Sequence, residues 1–127
     1  KDEWKNAEGD PQIKGQIRQK MREASQRRMM QDLPKADVVI TNPTHFAVAL
    51  QYDQAVSYAP KVMAKGEDSL ALRIRRLAEE NDVPIVENKA LARGLYTETK
   101  IGDIIPESYM QIIATIYAKV VYLNKKM

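Results

Sequence analysis

Two periods of apolar residues alternate along this chain, and the places where one gives way to the other divide it into elements. From Pro11 to about Asp32, Ile13, Ile17, Met21 and Ala24 recur at helical spacing, with Pro11 suited to a first turn. The stripe is thin, so this predicted helix buries little surface and is expected to order only against a partner or a preceding membrane segment. Leu33-Pro34 ends it. Ahead of it, residues 1–10 mix charge, Asn6 and Gly9 with Trp4 as the lone large apolar group, the composition of a mobile end.

The period then changes. Ala36-Asp37-Val38-Val39-Ile40-Thr41 is short and β-branched, as a buried strand should be. Asn42-Pro43-Thr44-His45 is a turn by composition. From Phe46 to Tyr52, bulky Phe46, Val48, Leu50 and Tyr52 alternate with Ala47, Ala49 and Gln51, which predicts a strand with one large and one small face. A close-packed helix fits the alanine face, and the short connection favours an antiparallel hairpin. Lys61 to Lys65 reads as an edge strand whose lysines discourage intermolecular pairing, ended by Gly66. Leu70, Ala71, Ile74, Leu77 and Ala78 predict an amphipathic helix from about Asp68 to Glu80, closed by Asn81-Asp82. Pro84 to Glu87 is a further strand, Lys89 to about Thr97 a short helix, and Pro106-Glu107 open a long helix with a broad apolar face from Tyr109 to Val121. The expected fold is α/β, a small mixed sheet of about four strands covered by about four helices, with an N-terminal helical arm. Residues 1–34 form the basic arm and 35–127 the globular domain.

Composition narrows the chemistry. The chain has 127 residues and 44% hydrophobic side chains, enough for one domain with a real core. With no cysteine and a single histidine, disulfides, thiolate metal sites and multi-histidine metal centres are excluded, and no cofactor is expected. No apolar run reaches the roughly 18 residues needed to span a bilayer, and no signal-peptide pattern opens the sequence. The net charge of +3 sits in the arm: residues 1–35 carry nine basic and six acidic side chains, residues 36–127 eleven of each. Lys14, Arg18, Lys20, Arg22, Arg27 and Arg28 face only Glu23 in opposition. Such a stretch suits a solvated linker, anionic lipid headgroups or nucleic-acid phosphates. The neutral globular part and the lack of interleaved aromatics speak against nucleic acid. No nucleophile-His-acid arrangement or phosphate-binding glycine loop marks a conventional hydrolase.

The Asn42-Pro43 step carries a specific reactivity. Proline has no backbone N–H, so the usual attack of the next nitrogen on an asparagine side chain is closed. The reverse attack stays open: the Asn42 amide nitrogen adds to Asn42's own carbonyl carbon, closes a five-membered imide and expels Pro43 as an amine. Asn42 is then both nucleophile and bearer of the scissile carbonyl, and Pro43 the leaving amine. His45 serves either proton transfer or orientation of the turn, and Thr44 orients the turn. Taken alone, an Asn-Pro between strands is first of all a turn.

The flanking blocks change that reading. Ala36 to Leu50 around Asn42-Pro43-Thr44-His45, then Ala59-Pro60-Lys61-Val62-Met63-Ala64-Lys65-Gly66, Ala71-Leu72-Arg73-Ile74-Arg75 and Leu91-Ala92-Arg93-Gly94-Leu95-Tyr96, together resemble the cytoplasmic domain of the FlhB/YscU family, in its flagellar branch. The match covers about residues 30–123. One departure is Phe46, where the flagellar pattern often has tyrosine. The resemblance implies a type III export gate protein at the cytoplasmic face of the bacterial inner membrane, with transmembrane helices upstream. It further implies self-cleavage between Asn42 and Pro43 with the halves remaining associated, a switch of export from rod-and-hook to filament substrates, and gate components, substrates or chaperones as partners. Grooves near Ala59-Pro60 or along the Leu91 to Tyr96 helix are candidate docking sites. The alternative is a docking module whose turn stays intact.

Overall fold

Asp10 accepts a hydrogen bond from the Gln12 backbone N–H at 2.9 Å, and Pro11 occupies the first turn, so helix α1 (Pro11–Asp32) starts where its sequence predicts. The computed structural model describes residues 10–122. Of the end expected to be mobile, residues 1–10, all but Asp10 lie outside the described residues, as do residues 123–127. Along α1, Ile13, Ile17 and Met21 are 39%, 54% and 64% exposed, and burial begins only at Met29. The thin stripe is therefore not what docks α1; Met29 and the following Leu33 are, packed against the sheet.

Strands β1 (Val38–Asn42), β2 (Phe46–Gln51), β3 (Lys61–Glu67) and β4 (Ile85–Glu87) lie in the order β3-β2-β1-β4. The hairpin β1–β2 is antiparallel, with Val38 opposite Leu50 and Asn42 opposite Phe46. β3 continues the meander antiparallel to β2, and β4 runs parallel to β1 on its other side, from Val39 against Ile85 to Thr41 against Glu87. Helix α2 (Ser69–Glu80) connects β3 to β4, and α3 (Lys89–Glu98) follows β4. The long C-terminal helix changes its winding twice: a 3-10 turn (Glu107–Tyr109), an α-helix α4 (Met110–Ile116), then a π-helical stretch (Tyr117–Tyr122).

Strand side chains alternate between faces, so the sheet builds two cores. Val38, Ile40, Val48, Leu50 and Val62 join α3 and the C-terminal helix through Leu91, Leu95, Ile113 and Tyr117. Val39, Ala47, Ala49 and Ala64 meet Ala71, Ile74 and Ala78 of α2, with Met29 and Leu33 from the arm. The alanine face thus carries the close-packed helix that its small side chains allow. Gly66 belongs to the same arrangement. It does not end β3 but pairs with Ala47 inside it, and a Cβ there would lie 2.6 Å from Leu70 Cγ, so α2 can begin directly over the strand only because residue 66 has no side chain.

Lys65 departs from its expected role as an exposed guard of the sheet edge. Its ammonium donates to the carbonyl oxygens of Tyr96 at 2.8 Å and Thr99 at 2.5 Å, neutralising the negative end of α3. The edge of β3 is guarded near its start instead by residues 102–105: Val62 N–H donates to Asp103 O at 2.8 Å, Gly102 N–H to Val62 O at 2.7 Å and Ile105 N–H to Pro60 O at 3.0 Å.

Asp37, just ahead of β1, ties the arm side of the domain to its C-terminal helix. One carboxylate oxygen accepts from the Tyr52 N–H at 2.7 Å and from the Tyr117 hydroxyl at 3.0 Å. Burial, and after it the Asp37 charge and hydrogen bond, hold the Tyr117 phenol far above the ordinary tyrosine range. A folded-state value above the unfolded one means that the stabilisation is complete below about pH 10 and is lost as pH rises past it, because only the unfolded chain releases the proton. Denaturant midpoints measured from pH 8 to 11 should fall more steeply for the wild type than for Tyr117→Phe, which has no such proton to lose.

Candidate functional site

Asn42 is the last residue of β1 and Phe46 the first of β2, leaving Pro43, Thr44 and His45 to reverse the chain. The His45 backbone N–H donates to the Asn42 carbonyl oxygen at 2.8 Å, closing a four-residue turn with Pro43 at its second position, where a fixed φ fits. Asn42 and Pro43 are half-buried; Thr44 and His45 are exposed. The bond that closes the turn comes from the His45 backbone, whereas the Thr44 hydroxyl makes no hydrogen bond among the described residues. The Asn42 carbonyl is thus already polarised by a donor. Negative charge developing on that oxygen during ring closure would meet the same N–H, the arrangement that stabilises tetrahedral intermediates elsewhere.

Both flanks of the turn are anchored. On the β1 side, the Thr41 carbonyl accepts from the Asn88 N–H at 2.9 Å, and Asn88 in turn caps α3 by accepting from the Leu91 N–H at 3.1 Å. On the β2 side, the His45 carbonyl accepts from the Asp68 N–H at 3.0 Å. The Phe46 ring packs on Tyr96 with centroids 4.8 Å apart, and Lys65 Nζ lies 4.7 Å from the Tyr96 centroid on a ring whose pKa is raised by burial first, then by the charge and hydrogen bond of Glu67. The residues that sequence reasoning passed over are Asp68, whose Oδ1 is 4.0 Å from His45 Nδ1, and Tyr96 with Lys65 behind Phe46. An aspartate directly before a helix reads as a cap, and nothing in its spacing ties it to a histidine 23 positions earlier.

Of the two candidate docking sites, the first is a groove of about 260 Å³ at Ala59-Pro60, bordered by Tyr58, Ile105, Met110 and Tyr117. The second is corrected by the fold: Leu91, Ala92 and Leu95 are buried, so the apolar side of α3 faces the core. Among the described residues no cluster of three or more acidic or histidine side chains gathers as a metal site, and no helix is long and apolar enough to cross a membrane.

This geometry can be set beside known proteins. The pattern of the FlhB HrpN YscU SpaS Family matches residues 1–120. The chain belongs to that family. Among curated relatives, the flagellar biosynthetic protein FlhB of Bacillus subtilis (strain 168) is 52% identical over 126 residues, 99% of this chain and 35% of that protein. FlhB of Salmonella typhimurium is 52% identical over 125 residues, 98% of this chain and 33% of that protein. The chain therefore spans about a third of the length of these relatives. Its fold matches the cytoplasmic domain of FlhB from Shewanella putrefaciens with a TM-score of 0.74 at 44% identity, covering 80% of this chain and 78% of that one. An asparagine-to-alanine variant of the EscU C-terminal domain matches with a TM-score of 0.68 at 33% identity, over 71% of this chain and 90% of that one. Both the family and its mixed α/β fold are thus those expected from the blocks around the Asn-Pro turn.

Phe46 anchors the turn to this family fold through a half-buried ring. Phe46→Ala should cost about 2 kcal/mol, below the range for fully buried aromatics, whereas Phe46→Tyr should stay within roughly 0.5 kcal/mol of the wild type; urea unfolding separates the two.

Proposed function

We propose that this chain cuts itself between Asn42 and Pro43 and acts as the export-switch domain of a flagellar type III secretion apparatus. The Asn42 side-chain nitrogen forms a bond to the Asn42 carbonyl carbon, the bond from that carbon to the Pro43 nitrogen breaks, and the proton given up by the amide is balanced by one taken up at Pro43. The observation that carries this reading is the turn itself, in which an asparagine carbonyl followed by proline is fixed and polarised by the His45 N–H at 2.8 Å.

Magnitudes show what else is needed. Local strain of roughly 1–3 kcal/mol in a turn would accelerate ring closure only about 5- to 150-fold. An amide nitrogen is a poor nucleophile until it loses a proton and an amine a poor leaving group until it gains one, so a proton carrier contributes a further 10²- to 10⁴-fold or so. His45, the single imidazole of the chain, is exposed on the turn and free to serve. In the intact protein the domain would lie at the cytoplasmic face of the inner membrane, with the basic arm leading to membrane helices and with gate components, export substrates or chaperones as partners. Cleavage is then a maturation event that remodels a docking surface and turns over no external substrate. The second reading, a docking module with an intact turn, draws on the open groove at Ala59-Pro60.

Denaturing mass analysis of freshly made protein separates these readings. Cyclisation yields a fragment beginning at Pro43 and one ending at Asn42 that is at first one water molecule lighter than the free acid or amide, a mark that hydrolysis by a contaminating protease does not leave. Under native conditions the two should elute together. A single unbroken chain after prolonged incubation at neutral pH would support the docking module instead. Asn42→Ala should abolish cleavage, Asn42→Asp impair it, and His45→Ala slow it by about 10²- to 10⁴-fold without stopping it. In cells, an uncleaved Asn42→Ala protein should stay on rod-and-hook export; a normal change of export specificity with the bond intact would break the link between cutting and switching.

A further inference from the structure

Asp68 occupies a backbone conformation unusual for a residue that directly precedes a helix. It precedes α2 as N-cap, where an extended residue normally accepts a hydrogen bond from the first turn through its side chain. Here φ is 53° and ψ −121°, a region that glycine enters freely and side-chain-bearing residues avoid, and the carboxylate makes no capping bond. The other non-glycine residue with positive φ among those described, Asp82, follows the end of α2, where a left-handed residue is an ordinary stop. Asp68 instead makes the whole turn from strand to helix, between Glu67 and Ser69. In this conformation its carbonyl accepts from the Leu72 N–H at 3.1 Å, while its N–H and its carboxylate both meet one residue: the N–H donates to the His45 carbonyl at 3.0 Å, and Oδ1 lies 4.0 Å from His45 Nδ1.

The geometry points to Asp68 as the residue that positions the His45 imidazole for proton transfer, an inference that rests on the proposed cleavage between Asn42 and Pro43. At 4.0 Å the pair is short of a hydrogen bond, but both side chains are exposed, 65% and 76%, so a small rotation closes it. A carboxylate accepting from Nδ1–H fixes the tautomer in which Nε2 carries the lone pair. Nε2 then takes the proton from the Asn42 amide nitrogen as the imide closes and returns it to the Pro43 nitrogen as that bond breaks, which leaves the imidazole unchanged. The neighbouring titratable groups are Glu67 beside Asp68, Lys65 and Tyr96 behind Phe46, and Glu87 of β4 opposite Thr41. Of the carboxylates among the described residues, only that of Asp68 comes within 4.0 Å of the imidazole.

Two readouts test this. The first is the initial rate of cleavage of the whole chain carrying Asp68→Asn or Asp68→Gly, each alone and combined with His45→Ala. Both single variants should cleave roughly tenfold slower or more, up to the about 10²- to 10⁴-fold that proton transfer supplies in full. Neither should slow the His45→Ala chain further, because the two residues act as one unit. Asp68→Gly should do this while melting at a higher temperature than the wild type, since glycine relieves the backbone, so its slower cutting is not a folding defect. The second readout uses the single histidine of the chain. In a chain locked by Asn42→Ala, imidazole ¹⁵N shifts should show the Nδ1–H tautomer enriched, and Asp68→Asn should return it to the free-solution mixture. Wild-type cleavage rates in Asp68→Asn, equal slowing in the His45→Ala background, or unchanged ¹⁵N shifts would each overturn the role of Asp68. A wild-type chain that never cuts would overturn the cleavage reading as well, so the two failures are distinguishable.

Discussion

Strand β1 is the element on which the rest of the structure depends. It runs between β2 and β4, and Val38, Val39 and Ile40 are fully buried, with Val38 and Ile40 in the core beneath α3 and Val39 in the core beneath α2. At about 1.5–3 kcal/mol for each such side chain, these three alone rival the net stability of a small domain. Asp37 at one end holds Tyr52 and Tyr117, and Thr41 at the other holds Asn88. Every strand that pairs with β1 comes later in the sequence than the Asn42-Pro43 bond. Under the proposed cleavage, the segment ending at Asn42 would therefore stay enclosed as the central strand of a sheet made by the other fragment. Removing it would expose both cores at once, so the covalent bond at the turn adds little to what already holds the pieces together.

The difference between the two sheet faces carries this constraint to the site. Ala47, Ala49 and Ala64 leave so little bulk that α2 lies close on its face, and Gly66 extends the gap for Leu70. With Glu67 still paired in β3 and Ser69 already helical, one residue is left to turn the chain from sheet to helix. That residue is Asp68, and its positive φ follows from the shortness of the connection. The same close packing that stabilises the scaffold thereby sets an aspartate against the exposed turn. On the opposite face, bulky Phe46 reaches Tyr96 and fixes the first residue after the turn.

Much of this was legible in the sequence because periodicity and punctuation agree in it. The alternation from Phe46 to Leu50, the Leu70-Ile74-Leu77 stripe and the Pro11 start all reappear as β2, α2 and α1. What was not legible depends on contacts between distant segments. Gly66 looked like a strand terminator, since a glycine required by a side chain four residues later is indistinguishable in sequence from one required by a turn. Lys65 looked like a solvated edge charge, and only the arrival of the α3 C-terminus gives it two carbonyls to bind. The Leu91–Leu95 stripe was correctly apolar, but periodicity cannot say whether such a stripe faces a core or a partner. Likewise the four residues of the turn were visible as a contiguous motif, while Asp68 became visible only through backbone geometry.

The two sides of the turn differ in how firmly they are held, and this decides what a cut there would change. Asn42 ends a strand paired on both sides just before it, with Thr41 bonded to Asn88. A new terminus at residue 42 would have little freedom. Pro43, Thr44 and His45 are held by the closing bond between His45 N–H and the Asn42 carbonyl, by the Asp68 N–H, and by chain continuity with Phe46. The first of these is a single hydrogen bond, worth about 0.5–1.5 kcal/mol net, and without the covalent link behind it thermal motion would open it readily. Movement after cleavage would thus fall almost wholly on three residues, one of them carrying a new secondary ammonium, set on a scaffold that stays as it was. A partner that reads the difference between cut and uncut protein would have to contact that short segment directly, because the sheet beneath it is too tightly packed on both faces to relay the change elsewhere.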